Sequence, residues 1–145
     1  MALDAYTAEP PYGVAFDPEI SDFFKNFYAV SDSAGAHEVY ADQFTSNATL
    51  IMGSNKVQGR NEIIELRRSM WEKVSTRQHK PLRIFTSGAG AENYMLYGTV
   101  DYIMKDGEKA SVDWAAHSHF VKVEGRYKMD FYQVYISSAP QRQVN

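Results

Sequence analysis

The C-terminal half of the chain carries three long β-runs separated by two short turn signals, and this feature constrains the fold most. The runs cover 93–105, 108–123 and 127–136, and the turns between them are Asp106-Gly107 and Glu124-Gly125. Such two-residue turns join neighbouring antiparallel strands and set which residues lie opposite each other. A meander of long antiparallel strands is therefore predicted, and its apolar face needs a cover.

The N-terminal half supplies that cover as helices. Asp17-Pro18-Glu19 has the residues of a helix start, an Asp cap followed by Pro and an acid, and an apolar stripe with helical spacing follows it. Further elements are predicted at 34–44 (helix), 48–52 (strand), 59 to 74–76 (helix) and 81–86 (strand). Helices followed by a meander predict an α+β fold, in which a strongly curved, mostly antiparallel sheet wraps on three N-terminal helices.

Length and composition favour one small domain that needs no disulfide bonds or structural metal ions. The 145 residues are divided into an N-terminal arm (1–16), one domain (17–136) and a C-terminal tail (137–145). A net charge of −3 gives no basic cluster for nucleic acid, and no apolar run reaches the length of a membrane span. The absence of Cys and of a basic leader predicts a cytoplasmic protein with neither nucleic-acid nor membrane partners.

The two turns also predict which side chains face the concave side of the sheet. If both turns have two residues, one face is the more aromatic and less charged, and it is assigned to the interior. Its members include Tyr97, Asp101, Trp114, Ser118, Phe131 and Gln133. His117, His119 and Tyr132 fall on the outer face. A β-bulge would exchange the two faces beyond it.

Three titratable residues are the candidates for chemistry. Asp101, an inward carboxylate among apolar walls, would have a raised pKa and act as acid or base. Arg67 interrupts the apolar stripe of the third helix, so it either stabilises an oxyanion or pairs with Asp101 as a structural ion pair. His79 begins the strand after that helix and would reach the mouth of the concavity. His117 and His119 have metal-ligand spacing, but no third ligand is evident, so no metal site is predicted.

Four segments resemble the NTF2-like superfamily, and most closely its SnoaL-like branch found in fungal proteins. They read FYAVSD at 27–32, ATLIM at 48–52, GRNEI at 59–63 and GRYKM at 125–129. The resemblance implies a cone-shaped α+β fold with a pocket. It does not imply one reaction, because the superfamily includes ketosteroid isomerases, polyketide cyclases, scytalone dehydratase, limonene epoxide hydrolase and non-enzymatic binding modules.

Residue by residue, the resemblance carries over only in part. TRQH at 76–79 is similar to scytalone dehydratase and matches a catalytic His of that enzyme to His79. The second catalytic His of that enzyme falls on Asp101, and its pocket Ser and Asn fall on Trp114 and Ala116. The general base of ketosteroid isomerases falls on Met52, so neither mechanism transfers intact.

Together these observations lead to two functional hypotheses. The first is a cofactor-independent isomerase, cyclase or dehydratase of secondary metabolism, acting on a polyketide- or terpenoid-like compound. Asp101 would move the proton with His79 as partner, and Arg67, Tyr97 or Tyr40 would stabilise the oxyanion. The predicted substrate-binding residues are Tyr28, Tyr40, Trp71, Trp114, Ser118, Phe131 and Gln133. The second is a binding module without chemistry. Either form would pair as a homodimer through the outer face with His117, His119 and Tyr132.

Overall fold

The computed structural model describes residues 3–136, so the predicted tail at 137–145 lies outside the described residues. Its helices are a 3-10 helix at Leu3–Tyr6, α1 (Pro18–Ser31), α2 (His37–Ala41) and α3 (Arg60–Trp71). Its strands are β1 (Phe44–Met52), β2 (Asn55–Gln58), β3 (Val74–Thr86), β4 (Asn93–Met104), β5 (Lys109–Val123) and β6 (Arg126–Tyr135). None of the helices within 3–136 is both long and apolar enough to cross a membrane.

The six strands form one open sheet in the order β2-β1-β6-β5-β4-β3. The pairing of β1 with β6 is parallel and the remaining pairings are antiparallel, which confirms the mostly antiparallel prediction. Four register shifts interrupt the pairings of β1 with β6, of β3 with β4 and of β5 with β6, and such irregularities bend a sheet. The helices cover the concave face, so the fold is the predicted α+β cone.

Helix α1 forms as the sequence predicts. The Asp17 side chain accepts a hydrogen bond from the Glu19 backbone N–H at 2.9 Å, and Pro18 opens the helix. Its apolar stripe, with Phe24 and Phe27, is buried against the sheet. Helix α2 is shorter than predicted, and 74–76 belong to β3 instead of α3. The longer β3 brings His79 to the middle of a strand.

The turn between β4 and β5 corrects the predicted faces of β4. The Met104 N–H donates to the Glu108 carbonyl (2.8 Å), so the loop holds three residues, with Gly107 at φ 92°. A three-residue loop with a left-handed Gly is a standard hairpin alternative. One extra residue exchanges the two faces of the strand. Asp101 and Tyr97 therefore point outward, and the inward prediction for both was wrong.

A bulge at Asp130 corrects the faces of β6. Phe120 pairs with Met129 as predicted, but His119 pairs with Phe131, which leaves Asp130 as the extra residue. Beyond it Tyr132 is buried, whereas Phe131 and Gln133 are half-exposed on the outer side. The inward prediction for Phe131 and Gln133 and the outward prediction for Tyr132 were thus wrong.

The N-terminal arm is built into the domain. The Glu9 N–H donates to Leu82 O and the Ile84 N–H donates to Glu9 O, both at 2.9 Å, so the arm runs beside β3 as a short parallel bridge. Tyr6 and Ala8 are buried in the main core. The arm therefore reaches the C-terminal end of α1, where the candidate site begins.

Candidate active site

A cavity lies between α1, α2 and α3 on one side and the concave face of the sheet on the other. The space open to the centre of a water-sized sphere is about 50 Å³. If that space is treated as a sphere and widened by the ~1.4 Å radius of a water molecule, the enclosed volume is roughly 200 Å³. This volume exceeds that of a ~150 Å³ cavity, which can hold a benzene molecule. The volume therefore suits a molecule of one or two fused rings. The lining is mostly aromatic and aliphatic: Phe27, Tyr28, Ser31, Tyr40, Met52, Arg67, Met70, Trp71, Arg77, His79, Val100, Tyr102, Trp114, Tyr132, Val134 and Ile136.

A His–Asp pair forms one pole of this cavity. His79 Nδ1 lies 2.6 Å from Asp32 Oδ1, and the Asp32 side chain is only 4% exposed. Asp32 Oδ2 accepts two further hydrogen bonds, from the His79 backbone N–H (2.8 Å) and from the Tyr6 hydroxyl (2.8 Å). An ionised carboxylate only accepts, so Nδ1 carries the proton and Nε2 is left as the basic nitrogen. Within residues 3–136 Nε2 has no hydrogen-bond partner.

Tyr6 joins this pair from the N-terminal arm. Burial, and then its bond to Asp32, raise the pKa of Tyr6, so its hydroxyl stays a donor at neutral pH. With every oxygen of Asp32 engaged, the carboxylate has one orientation, and the imidazole is fixed with it. Positioning of a general base by a second group is the logic of catalytic triads.

Aromatic rings surround the imidazole. The centroid of the Tyr28 ring lies 5.2 Å from that of His79, and Trp114 lies 5.7 Å from it. The Tyr28 and Tyr132 hydroxyls are 2.7 Å apart and buried. Burial raises the pKa of both phenols. Because one hydroxyl hydrogen is used in this bond, the other is available to a group bound in the cavity.

Arg67 and Arg77 form a second polar cluster at the cavity wall, which we call the arginine pole. Arg67 Nη2 donates to the carbonyls of Val30 (2.9 Å) and Ser33 (2.6 Å) at the C-terminal end of α1, where a cation complements the helix dipole. Its Nη1 lies 3.3 Å from His37 Nδ1. The guanidinium also lies over the Tyr40 ring at 5.0 Å. Burial lowers the pKa of Arg67, but a guanidinium remains charged in proteins.

Arg77 completes this pole from β3. Its guanidinium stacks on Trp71 at 4.6 Å and on Tyr102 at 5.2 Å, and Nη2 donates to the Met70 carbonyl at 2.9 Å. Burial lowers the pKa of Arg77, and its interaction with the Tyr102 hydroxyl opposes this shift only in part. Arg77 and His79 share the inner side of β3, so one strand contributes to both poles of the cavity.

The solved structures that are similar to this one include the following three. An NTF2-like protein of unknown function from Exiguobacterium sp. superposes with a TM-score of 0.64 at 13% identity, covering 83% of this chain and 99% of that chain. The chain has the NTF2-like fold. A candidate scytalone dehydratase from Novosphingobium aromaticivorans reaches 0.69 at 14% identity, covering 88% of both chains. A hexachlorocyclohexane dehydrochlorinase (LinA, type 2) reaches 0.70 at 11%, covering 88% of this chain and 89% of that chain. No family model and no curated protein matches the sequence.

Within this NTF2-like cone, the predicted site residues divide into two groups. The residues that line the cavity are Arg67, His79, Tyr28, Tyr40, Trp71 and Trp114. Ser118 faces inward and is fully buried, but it lies outside the cavity lining. Asp101 instead accepts a hydrogen bond from the exposed Ser111 hydroxyl at 2.6 Å, so it neither pairs with Arg67 nor reaches the site.

Sequence reasoning missed several residues of the site. Asp32 is not among the predicted site residues, although its position directly after the α1 stripe was a usable signal. Arg77 precedes His79 by two residues, which in a strand places both on one face. Tyr102 and Tyr132 were missed because the predicted register placed them on the outer face. The three-residue loop turns Tyr102 inward, and the bulge turns Tyr132 inward. Among residues 3–136 no cluster of His, Asp and Glu has the arrangement of a metal site.

Proposed function

We propose that this protein is a cofactor-independent acid–base enzyme in which His79 removes a proton from carbon in a small ring compound. The observation that carries the proposal is the 2.6 Å contact between His79 Nδ1 and a nearly inaccessible Asp32, at the wall of an aromatic cavity. Asp32 is a positioning residue, because it sets the tautomer and orientation of the imidazole without reaching the substrate. His79 therefore replaces Asp101 as the proposed base.

The chemistry follows from the two poles of the cavity. Nε2 takes a proton from a carbon next to a carbonyl, and negative charge develops on the carbonyl oxygen. The Tyr28–Tyr132 hydroxyl pair offers one donor to that oxygen, and Tyr40 and the arginines offer others. The resulting imidazolium returns the proton, either to a second carbon in an isomerisation or to a departing hydroxyl in a dehydration.

The reaction class is therefore isomerisation, cyclisation or dehydration, and the substrate class is a polyketide- or terpenoid-like metabolite of one or two rings. Two of the structural neighbours carry names of elimination enzymes, a candidate scytalone dehydratase and a dehydrochlorinase, which supports this class. The absence of Cys, which suits a reducing compartment, supports a cytoplasmic location.

Deuterium exchange tests the proton-abstraction step without knowledge of the natural substrate. The protein is incubated in D₂O with 1-tetralone, 1-indanone and cyclohexanone, and loss of the α-hydrogen signal is followed by NMR. The wild type should accelerate exchange of at least one ketone, and His79→Gln should lower the enzymatic rate about 10²–10⁴-fold. His117→Gln, on the outer face, is the matched control and should exchange as fast as the wild type. Binding of a ketone without any acceleration would instead indicate a binding module.

We further propose that the protein forms a homodimer through the outer face of the sheet. This face exposes apolar side chains, with Phe85 (48%) stacked on Tyr97 (43%), and Met95 and Tyr135 beside them. His117 and His119 lie on the same side. Tyr132, which the sequence predicted for this face, is buried on the inner side instead. Sedimentation equilibrium should give a dimer for the wild type and a monomer for Tyr97→Glu. A monomeric wild type would refute this part of the proposal alone.

A further inference from the structure

The arginine pole holds two buried positive charges that form no ion pair with an acidic side chain of residues 3–136. Arg67 is 2% exposed and Arg77 is 8% exposed. Within residues 3–136 neither guanidinium lies within ion-pair distance of an Asp or Glu; their hydrogen-bond partners are backbone carbonyls, His37 and Tyr102. Buried charges in proteins are normally paired, because their transfer from water is costly. The unpaired state of two such groups around one cavity needs an explanation.

Two further donors at this pole have no acceptor in the described part of the chain. Arg67 Nε and Trp71 Nε1 are buried nitrogens without a hydrogen-bond partner among residues 3–136. Both belong to residues that line the cavity. Buried N–H groups in native structures are nearly always paired, so two orphans in one cavity indicate that an acceptor-rich group belongs there.

The charged side chains around the cavity indicate the charge that the bound acceptor-rich group would carry. Among residues 3–136, Arg67 and Arg77 contribute two positive charges and Asp32 contributes one negative charge, so these residues leave one positive charge of the cavity uncompensated. His37 adds none, because burial, and then Arg67, lower its pKa and keep it neutral. A monoanion balances the cavity, and a carboxylate matches the planar N–H edges of guanidinium groups.

We infer that the cavity takes a carboxylic acid on a one- or two-ring skeleton, with its carboxylate between Arg67, Arg77 and the Trp71 indole N–H. The ring then extends along the aromatic wall towards His79. This inference rests on the proposed function, since it names the substrate class of the same cavity. A purely structural role of Arg67 at the end of α1 is the alternative explanation. That role does not account for Arg67 Nε, Trp71 Nε1 or the charge of Arg77.

Calorimetric titration with two matched probes tests this inference. The probes are 2-naphthoate and 2-naphthalenemethanol, which share the ring system and differ in the charged group. We expect the wild type to bind the carboxylate at least about tenfold more tightly than the alcohol. Arg77→Met should remove most of that preference and leave alcohol binding within about twofold. Trp71→Phe, which keeps a ring but lacks the indole N–H, should weaken carboxylate binding about three- to tenfold.

Arg68→Met is the matched control, since Arg68 is the exposed neighbour of Arg67 on α3; it should bind both probes like the wild type. Far-UV circular dichroism establishes that each variant is folded. The inference is overturned if the carboxylate binds no more tightly than the alcohol, including the case in which neither binds. Retained exchange of neutral 1-tetralone would then leave the proposed function standing. Carboxylate preference without any exchange would overturn the proposed function and leave this inference.

Discussion

The hydrogen bond between the Tyr28 and Tyr132 hydroxyls makes a quantitative prediction about the wall of the cavity. It joins α1 to β6, and the two residues are 1% and 2% exposed. Within residues 3–136 neither hydroxyl has a second hydrogen-bond partner. Because bulk water does not reach them, removal of one hydroxyl leaves the other buried without a partner.

The expected costs follow from this pairing. An orphaned buried hydroxyl costs about 1–3 kcal/mol, so Tyr28→Phe and Tyr132→Phe should each lower the free energy of unfolding by about 1.5 kcal/mol. Removal of both hydroxyls leaves two apolar rings of unchanged shape, and the double variant should lose only about 1 kcal/mol. The coupling is then about 1 − 1.5 − 1.5 = −2 kcal/mol. Each single change should lower the Tm by roughly 3–6 °C in a domain of this size.

Urea denaturation of the wild type, both single variants and the double variant completes the cycle. Tyr94→Phe is the matched control, because the Tyr94 hydroxyl has no hydrogen bond to another residue within 3–136; its stability should change by less than about 0.5 kcal/mol. Additive effects of the two single changes would refute the reasoning. So would a double variant that is less stable than both single variants.

Two other substitutions test the sheet. In Gly98→Ala the new Cβ would meet the Lys80 carbonyl oxygen, a backbone atom that cannot move aside, so thermal unfolding should show a loss of about 2–3 kcal/mol. A loss below about 0.5 kcal/mol would contradict that packing. The hydrogen bond to Asp130, with help from Glu92, raises the folded-state pKa of His119. Its stabilisation, at most about 1 kcal/mol, is therefore complete below the unfolded pKa and lost as pH rises through the folded pKa. His119→Gln should cost more at pH 5.5 than at pH 9, and an equal cost would contradict the ion pair.

The parts of the fold predicted correctly are those set by local chemistry. Asp17 and Pro18 define the start of α1 by capping rules that need no tertiary context. Glu124 and Gly125 both have positive φ, as a two-residue hairpin requires, so the register of Phe120 with Met129 was predicted correctly. From this register the inward positions of Trp114 and Ser118 follow directly.

The errors come from single residues whose effect extends along a strand. Asp106-Gly107 fits a two-residue and a three-residue loop equally well in sequence. The observed three-residue loop places Asp101 on the surface, whereas a two-residue loop would place it in the cavity. The bulge at Asp130 has no local sequence signal, because tertiary partners such as His119 stabilise it. Asp32 and His79 lie 47 residues apart, so their contact depends on the whole fold. The fold class was predictable because it depends on local capping and turn signals, whereas the pair that moves the proton depends on tertiary contacts and was not.

The two arginines raise a question that kinetics can answer once a carboxylate substrate is found. If Arg67 and Arg77 hold a carboxylate that is charged before and throughout the reaction, they bind ground state and transition state equally. Arg77→Met should then raise KM about tenfold or more and leave kcat within about twofold. If they instead stabilise the oxyanion that forms when His79 removes the proton, kcat should fall and KM should change little. Because the unpaired charge exists before any reaction, we expect the first result, and a fall in kcat alone would assign the arginines to the developing oxyanion.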